Sequence, residues 1–201
     1  SGRDMNDVAQ FVELSELIYA GSHGFDIKGP DLRFQLPEAS EALKNLDAAQ
    51  PELERRLAGV PGSQIERKLY AIAVHYRNVE ESRVGEVERA VDEELARRPA
   101  LRKSGGKKVF ELRPNIDWDK GRAVGWLMER LGLDENKVTP IYIGDDVTDE
   151  DAFVYLRGRG MGIIVGRPEY PSKADWRLED TPEVERFLAK IHELFMEEKK
   201  K

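Results

Sequence analysis

Acidic residues crowd a short segment of the chain, at positions 145–151, directly after the apolar run 141–143 and Gly144. Carboxylates this close together repel one another and raise each other's pKa unless a cation neutralises them. Oxygen-rich clusters suit Mg²⁺, which typically takes one or two protein carboxylates and leaves its other positions to waters and phosphate oxygens. The segment therefore predicts a magnesium site. The alternative is an acidic helix N-terminus, with Asp145 or Thr148 as its cap.

The elements around this segment are typical of a parallel α/β layer. The run 141–143 predicts a strand buried on both faces, and open α/β sheets place ligands at the C-terminal ends of such strands. A second buried strand is predicted over 162–166, and apolar residues at helical spacing predict helices over 123–131 and from Val184 to the end of the chain. The first residues continue the alternation, with a helical pattern from Val8, a strand over 17–21 and a loop over 22–27.

The middle of the chain, residues 36–112, predicts a smaller α+β unit inserted into that layer. Its predicted elements are two helices over 38–58 divided at Pro51, strands over 63–68 and 69–77, a helix with Val84, Val87, Val91 and Leu95 on one face, a tight turn at Gly105-Gly106, and a strand over 108–112. Residues 1–35 and 113–201 would then form the core around the insertion.

Composition narrows the class of protein. The net charge of -7 and the pI near 5.2 argue against a nucleic-acid partner. The sequence has no cysteine, which excludes disulfides, a thiolate nucleophile and cysteine-bound zinc, and which fits a reducing compartment. Since no apolar run reaches membrane-spanning length and the first residues hold no signal-peptide core, we predict a soluble, cytoplasmic protein without a membrane partner.

Ordered motifs across essentially the whole chain resemble the trehalose-6-phosphate phosphatases, a branch of the haloacid dehalogenase superfamily. The acidic segment with its flanks, Gly144-Asp145-Asp146-Val147-Thr148-Asp149-Glu150-Asp151-Ala152-Phe153, is similar to the family's acidic signature. The other matching motifs are Ser1-Gly2-Arg3, Ala20-Gly21-Ser22-His23-Gly24, Val74-His75-Tyr76-Arg77, Glu111-Leu112-Arg113-Pro114 and Asp119-Lys120-Gly121. The resemblance implies a haloacid-dehalogenase-like Rossmannoid core, incomplete in its N-terminal strands, with residues 36–112 as an inserted α+β cap domain.

The resemblance also implies a phosphate site and a metal. Asp145 would be the direct Mg²⁺ ligand, Asp149 a second ligand or the holder of a metal-bound water, and Asp146 part of the same shell. Lys120 would contact the phosphate and the nucleophile as a point charge. Ser1 would donate its hydroxyl to a phosphate oxygen beside the Gly2 amide, unless Ser1-Gly2 is a cloning remnant.

A sugar phosphate is the predicted partner. Lys107 and Glu111, four residues apart on a strand, lie on one face and would hold one glucose ring. The resemblance supports Glu111 more firmly than Lys107, and Lys108 stays an alternative to Lys107. His23, in a glycine-flanked loop, would line the substrate site, and Arg77 and Arg113 are either substrate contacts or ordinary ion pairs. The full set of predicted substrate contacts is Gly2, Arg3, His23, Gly24, Arg77, Lys107, Glu111 and Arg113.

One departure from the family pattern matters for function. The superfamily nucleophile lies in an Asp-x-Asp-Gly-Thr motif upstream of the Ser-Gly-Arg motif, and this sequence does not contain it. We therefore expect the sequence to be the C-terminal portion of a longer protein. The complete protein would hydrolyse trehalose 6-phosphate to trehalose and phosphate through a phospho-aspartyl intermediate, and this chain alone would be inactive.

Three other hypotheses stay open at this point. In the first, the complete protein acts on sucrose phosphate or mannosylglycerate phosphate. In the second, the chain is a non-catalytic sugar-phosphate sensor, and in the third it is only a structural fragment. Fusion to, or partnership with, a trehalose-phosphate synthase is a further possibility.

Overall fold

The computed structural model describes residues 1–106, 108–134 and 136–198. Contacts divide the chain into two units, Ser1–Trp118 and the residues from Asp119 onward. The elements of the first unit are α1 (Met5–Val12), β1 (Tyr19–Gly21), β2 (Asp26–Gly29), β3 (Leu32–Gln35), α2 (Ala39–Leu57), β4 (Gln64–Lys68), β5 (Ala71–His75), α3 (Val84–Arg97), β6 (Leu101–Gly106) and β7 (Val109–Pro114). The predicted boundaries of core and cap stay a prediction.

Residues 19–35 form an antiparallel sheet in the order β1-β2-β3. The predicted loop over 22–27 is wrong, because it shrinks to a 3₁₀ turn, Ser22–Gly24, from which β2 runs back along β1 with Ala20 opposite Ile27. Parallel pairing is therefore not found in this part of the described chain. The helix predicted from Val8 is confirmed as α1, but the apolar face expected on it is not buried, since Phe11 is 91% exposed.

A four-stranded antiparallel sheet in the order β4-β5-β7-β6 follows. The helices α2 and α3 contact its strands. The buried core of this part contains apolar residues from the sheet, among them Ile72, Val74 and Leu112, and apolar residues from the helices, among them Leu53 and Val87. Alternation along the strands puts every second side chain on this face.

Helix α2 runs unbroken through Pro51, so the predicted division into two helices is wrong. Proline costs a helix one hydrogen bond and some steric strain. Leu46, Ala49, Leu53 and Leu57 nevertheless continue one buried stripe along α2. Tertiary packing of such a face supplies most of the stability of a helix in a protein, and here it outweighs the local cost of the proline.

The turn predicted at Gly105-Gly106 is also displaced. Both glycines belong to β6, where Gly105 pairs with Phe110 and Gly106 with Val109. The predicted turn at these glycines is therefore wrong, because the pairing of β6 with β7 extends through both of them.

The second unit contains α4 (Lys120–Arg130), β8 (Ile141–Gly144), α5 (Glu150–Leu156), β9 (Met161–Val165), β10 (Trp176–Leu178) and α6 (Thr181–Glu198). Its sheet has the order β10-β9-β8 and both pairings are parallel, which confirms the parallel sheet predicted here. β8 is not buried on both faces as predicted, since Ile141 is 42% exposed and β8 pairs with β9 alone among the described strands. Every helix in the described ranges is too short or too polar to cross a lipid bilayer.

Candidate functional site

The acidic segment leaves the C-terminal end of β8 and enters α5 through a 3₁₀ turn, Val147–Asp149. Asp146 caps this turn: its carboxylate accepts a hydrogen bond from the Val147 amide at 2.6 Å and forms a capping box with Asp149. The alternative hypothesis, that the acidic segment is a helix N-terminus, is therefore correct in part. The cap is Asp146, and not Asp145 or Thr148 as expected.

Asp149 is buried and its carboxylate accepts four hydrogen bonds. The Lys120 ammonium and the Tyr142 hydroxyl donate to one oxygen, at 2.6 Å and 2.7 Å. The amides of Asp145 and Asp146 donate to the other, at 3.0 Å and 2.9 Å. Burial by itself would raise the pKa of Asp149, but the hydrogen bonds from Lys120 and Tyr142 hold that pKa below its usual value. Asp149 thus carries a charge that fixes Lys120.

Lys120 is the first residue of α4. Its two neighbours in the sequence, Asp119 and Gly121, fix the position of this helix end. The Asp119 side chain caps the helix by accepting a hydrogen bond from the Arg122 amide at 2.8 Å. Gly121 allows α4 to approach α5 closely, since a β-carbon there would lie 2.4 Å from the carbonyl oxygen of Asp151. The Lys120 side chain is 11% exposed. Its ammonium is therefore a nearly immobile positive charge.

Asp145 differs from Asp146 and Asp149 in being open to a cation. Its side chain is exposed and makes no hydrogen bond or ion pair with the residues that the structure describes. Nowhere in the described ranges do three Asp, Glu, His or Cys side chains converge to hold a metal by themselves. The donor set is one free carboxylate, which fits Mg²⁺ when its remaining ligands are waters and phosphate oxygens.

The first unit contains a small cavity that collects several of the predicted substrate contacts. Its lining residues are Gly2, Ser22, His23, Phe25, Tyr70, Ala71, Glu111 and Arg113. Four of these were predicted from the sequence: Gly2, His23, Glu111 and Arg113. The cavity volume is about 10 Å³, which is room for roughly one water molecule.

The loop beside this cavity has an unusual backbone. Ser22 and His23 have φ of 49° and 58°, in the left-handed region that side chains other than glycine seldom adopt. The first residues hold it there: the Arg3 carbonyl accepts from the Ser22 amide at 2.7 Å, and the Ser1 carbonyl accepts from the His23 amide at 2.8 Å. Strain of this kind is often stored where a side chain must be aimed at a ligand.

The other predicted contacts lie elsewhere. Ser1 is exposed, and its backbone nitrogen donates to the Ala20 carbonyl at 2.9 Å. Arg3 is exposed, Gly24 is buried with φ of 89°, and Arg77 lies exposed on the turn after β5; none of the three lines the cavity. Lys107 lies outside the described residues.

Sequence reasoning missed several residues at these two places. The sequence pattern predicts Tyr142 only as an apolar strand residue. Its hydroxyl, three positions before the first carboxylate, was a usable signal for a hydrogen bond to the acidic segment. Asp4, whose carboxylate accepts from the Ser22 hydroxyl at 3.0 Å and from the Leu69 amide at 3.1 Å, gave no signal in the sequence. Tyr70 also gave none, because its position in the cavity depends on stacking with Phe25 at 5.4 Å.

The sequence of the chain matches a known protein family and several known proteins. The sequence profile of the family described as trehalose-phosphatase matches residues 1–182. The chain is 41% identical over 206 residues to probable trehalose-phosphate phosphatase J of Arabidopsis thaliana, a match that covers 96% of this chain and 56% of that protein.

Solved structures agree on the fold. The crystal structure of a trehalose-6-phosphate phosphatase related protein matches with a TM-score of 0.81 at 23% identity, over 98% of this chain and 80% of that one. A haloacid dehalogenase-like hydrolase from Bacteroides thetaiotaomicron matches with a TM-score of 0.62 at 16% identity, over 95% and 84%. The predicted haloacid-dehalogenase-like α/β fold class is confirmed. The chain spans about half the length of the curated relatives it matches, and it belongs to the trehalose-phosphatase family.

Proposed function

We propose that this chain is part of a Mg²⁺-dependent phosphatase that hydrolyses trehalose 6-phosphate to trehalose and phosphate. One observation carries the proposal: the ion pair of Lys120 and Asp149, at the C-terminal end of a parallel strand. Support comes from the family, whose curated relatives are named trehalose-phosphate phosphatases.

Lys120 supplies the fixed positive charge that a phosphoryl group requires. An ammonium has three donors, and Asp149 takes one of them, so two remain to contact phosphate oxygens and an attacking carboxylate. Charge placed in advance where it develops in the transition state is usually the largest contribution to such catalysis. The buried Asp149 keeps this charge in place without a change of geometry during the reaction.

Asp145 is the residue that we assign to Mg²⁺, since its carboxylate is exposed and unoccupied by other donors in the described chain. When bound, the cation neutralises the charge of the phosphate and the attacking carboxylate. We assign Asp146 to the helix cap and Asp149 to Lys120, because donors already occupy both carboxylates.

Recognition of the sugar is assigned to the cavity of the first unit. Glu111 offers acceptors, Arg113 offers donors and His23 offers either, which suits hydroxyl groups that both donate and accept. The cavity must widen to receive a disaccharide, since it now has room for about one water molecule. Ser1, Arg3, Gly24, Arg77 and Lys107 stay proposed contacts on the basis of the family motifs alone.

The attacking carboxylate of a phospho-aspartyl route would come from outside these 201 residues, since they contain no Asp-x-Asp-Gly-Thr. A second candidate function is that of a sugar-phosphate sensor, which binds without turnover. A cytoplasmic location, and a partnership with a trehalose-phosphate synthase, are further parts of the proposal. The absence of cysteine supports the location.

The decisive experiment measures phosphate release by the full-length protein that contains this chain, with trehalose 6-phosphate, sucrose phosphate and mannosylglycerate phosphate as substrates. We expect release from trehalose 6-phosphate that is lost on chelation of Mg²⁺ and in Lys120→Met, but kept in Lys137→Met, which removes a surface lysine that is 81% exposed. Binding of trehalose 6-phosphate without release would favour the sensor. Release from the other esters only would refute the proposed substrate.

A further inference from the structure

Asp4 lies at the N-terminal end of α1, but its side chain does not cap that helix. Aspartate is a preferred N-cap residue because its carboxylate can accept hydrogen bonds from the first amides of a helix. α1 begins at Met5, which puts Asp4 at the N-cap position, and yet its carboxylate accepts no capping hydrogen bond. The carboxylate is engaged elsewhere.

The Asp4 carboxylate joins two segments that line the cavity of the first unit. One oxygen accepts a hydrogen bond from the Ser22 hydroxyl at 3.0 Å. The other accepts one from the Leu69 amide at 3.1 Å, in the connection between β4 and β5. Ser22 lines the cavity together with its neighbour His23, and Tyr70, the neighbour of Leu69, lines it as well. A single side chain thus fastens the loop of His23 to the connection that carries Tyr70.

The loop on one side of this bridge has a strained backbone. Ser22 and His23 have φ of 49° and 58°. Such angles cost energy for residues other than glycine and persist only where the surrounding contacts impose them. The hydrogen bond from Ser22 to Asp4 is one of these contacts, and it is adjacent to His23. Its loss would allow the loop to relax and the imidazole to move.

Stability alone does not explain the position of this carboxylate. Leu69 is 41% exposed, so water could bind its amide in place of Asp4. Burial raises the pKa of the Asp26 carboxyl, and the nearby Asp4 carboxylate raises that pKa further. Two acidic groups this close disfavour each other's charged form. Asp4 therefore leaves α1 without a side-chain cap and adds repulsion to Asp26, and the result is a bridge beside the cavity.

We propose that Asp4 is a positioning residue for sugar binding, which acts by holding the loop of His23 and the connection of Tyr70 in one fixed frame. The frame stays in place when a sugar enters, and the cavity widens by movement of the Glu111 and Arg113 side chains. The inference rests on the proposed function and deepens it.

The test measures binding of free trehalose to the chain by titration calorimetry, with Asp4→Ala, Asp4→Asn and the matched control Asp7→Ala. Asp7 is an exposed acidic residue in the first turn of α1, so the control removes the same charge three positions away. We expect Asp4→Ala to weaken binding about tenfold and Asp7→Ala to change it less than about twofold. Asp4→Asn should restore most of the affinity, because its side chain can accept from the Leu69 amide and donate to the Ser22 hydroxyl.

A double-mutant cycle with His23→Asn separates positioning from a general effect on the fold. If Asp4 acts through His23, Asp4→Ala should weaken binding clearly less in the His23→Asn background than in the unaltered chain. Circular dichroism establishes that each variant is folded. If Asp4→Ala does not fold, Ser22→Ala takes its place, since it removes only the hydroxyl that Asp4 binds.

The outcomes separate this inference from the proposed function. Unchanged affinity in a folded Asp4→Ala chain, or losses of affinity that add in full across the cycle, overturns the inference and leaves the proposed function standing. Equal weakening by Asp4→Ala and Asp7→Ala does the same, because it would show an effect of charge alone. If the unaltered chain binds neither trehalose nor trehalose 6-phosphate, the proposed sugar site fails and this inference fails with it.

Discussion

Lys120 and Asp149 form an ion pair 2.6 Å long in which both side chains are nearly buried, at 11% and 5% exposure. A buried ion pair contributes little net stability, but the loss of one partner leaves an uncompensated charge. The Tyr142 hydroxyl, 2.7 Å from the same carboxylate oxygen, adds to this constraint. The pair is therefore both a candidate part of the phosphate site and a sensitive point of the fold.

Replacement of Asp149 by Asn should destabilise the chain by about 3 kcal/mol, because the buried Lys120 ammonium loses its negatively charged partner. In addition, the side-chain amide of Asn brings N–H donors to a place where a carboxylate oxygen accepted hydrogen bonds. Urea unfolding followed by circular dichroism measures this. Glu86→Gln is the control: its ion pair with Arg83 is exposed to solvent and screened by it, so its loss should change the stability far less than Asp149→Asn does. Equal losses of stability in the two variants would show that the buried Lys120–Asp149 pair is no more sensitive to the loss of one partner than an exposed pair.

Gly144 is required by the close approach of Asp149. A β-carbon at position 144 would lie 2.3 Å from the carboxyl carbon of Asp149, so Gly144→Ala must displace that side chain. We expect a loss of about 1–3 kcal/mol, as for other overpacked sites. Gly85→Ala, in α3, has open space around the new methyl group and should instead stabilise by up to about 1 kcal/mol. Thermal unfolding of both variants checks the opposite signs.

Asp26 gives the chain a predictable pH dependence. Burial raises its pKa above the ordinary value of 3.8, against the opposing effect of Arg33, whose guanidinium lies 2.8 Å away. The folded chain therefore binds more protons than the unfolded chain between these pKa values. As a result, the contribution of Asp26 to the free energy of unfolding falls as pH rises from 3.8 to the folded pKa, and is constant above it.

Asp26→Asn removes this contribution. The stability of the variant relative to the unaltered chain should therefore increase with pH across that interval and then level off. Denaturant unfolding at a series of pH values measures the difference. A relative stability that decreases as pH rises toward 3.8 and is constant above it would mean that the Asp26 pKa is lowered by Arg33 instead of raised by burial.

His23 allows backbone strain and ligand contact to be separated. Its φ of 58° is tolerated by Asn, so His23→Asn should change stability by less than about 0.5 kcal/mol. His23→Val, which is β-branched, should cost about 1–2 kcal/mol. Both variants remove the imidazole from the cavity and should weaken binding of trehalose. Full binding by His23→Asn would show that the imidazole only fills space.

Some features of this chain were determined by local sequence. The spacing of Val87 and Val91 predicted α3 because one face of a helix repeats every three to four residues. The apolar run 162–166 predicted β9, since a central parallel strand is buried on both faces. The ordered motifs identified the family, because they record the residues that its chemistry requires.

Other features were decided by the tertiary structure alone. Continuation of α2 through Pro51 depends on a buried stripe that only its partners define. Lys120 meets Asp149 across 29 positions, and Lys68 meets Glu111 across 43, through strand order and register. Local periodicity specifies which face of an element is apolar, but contacts between distant side chains depend on how the elements pair. That pairing is a property of the whole folded chain and leaves little trace in any short segment of its sequence.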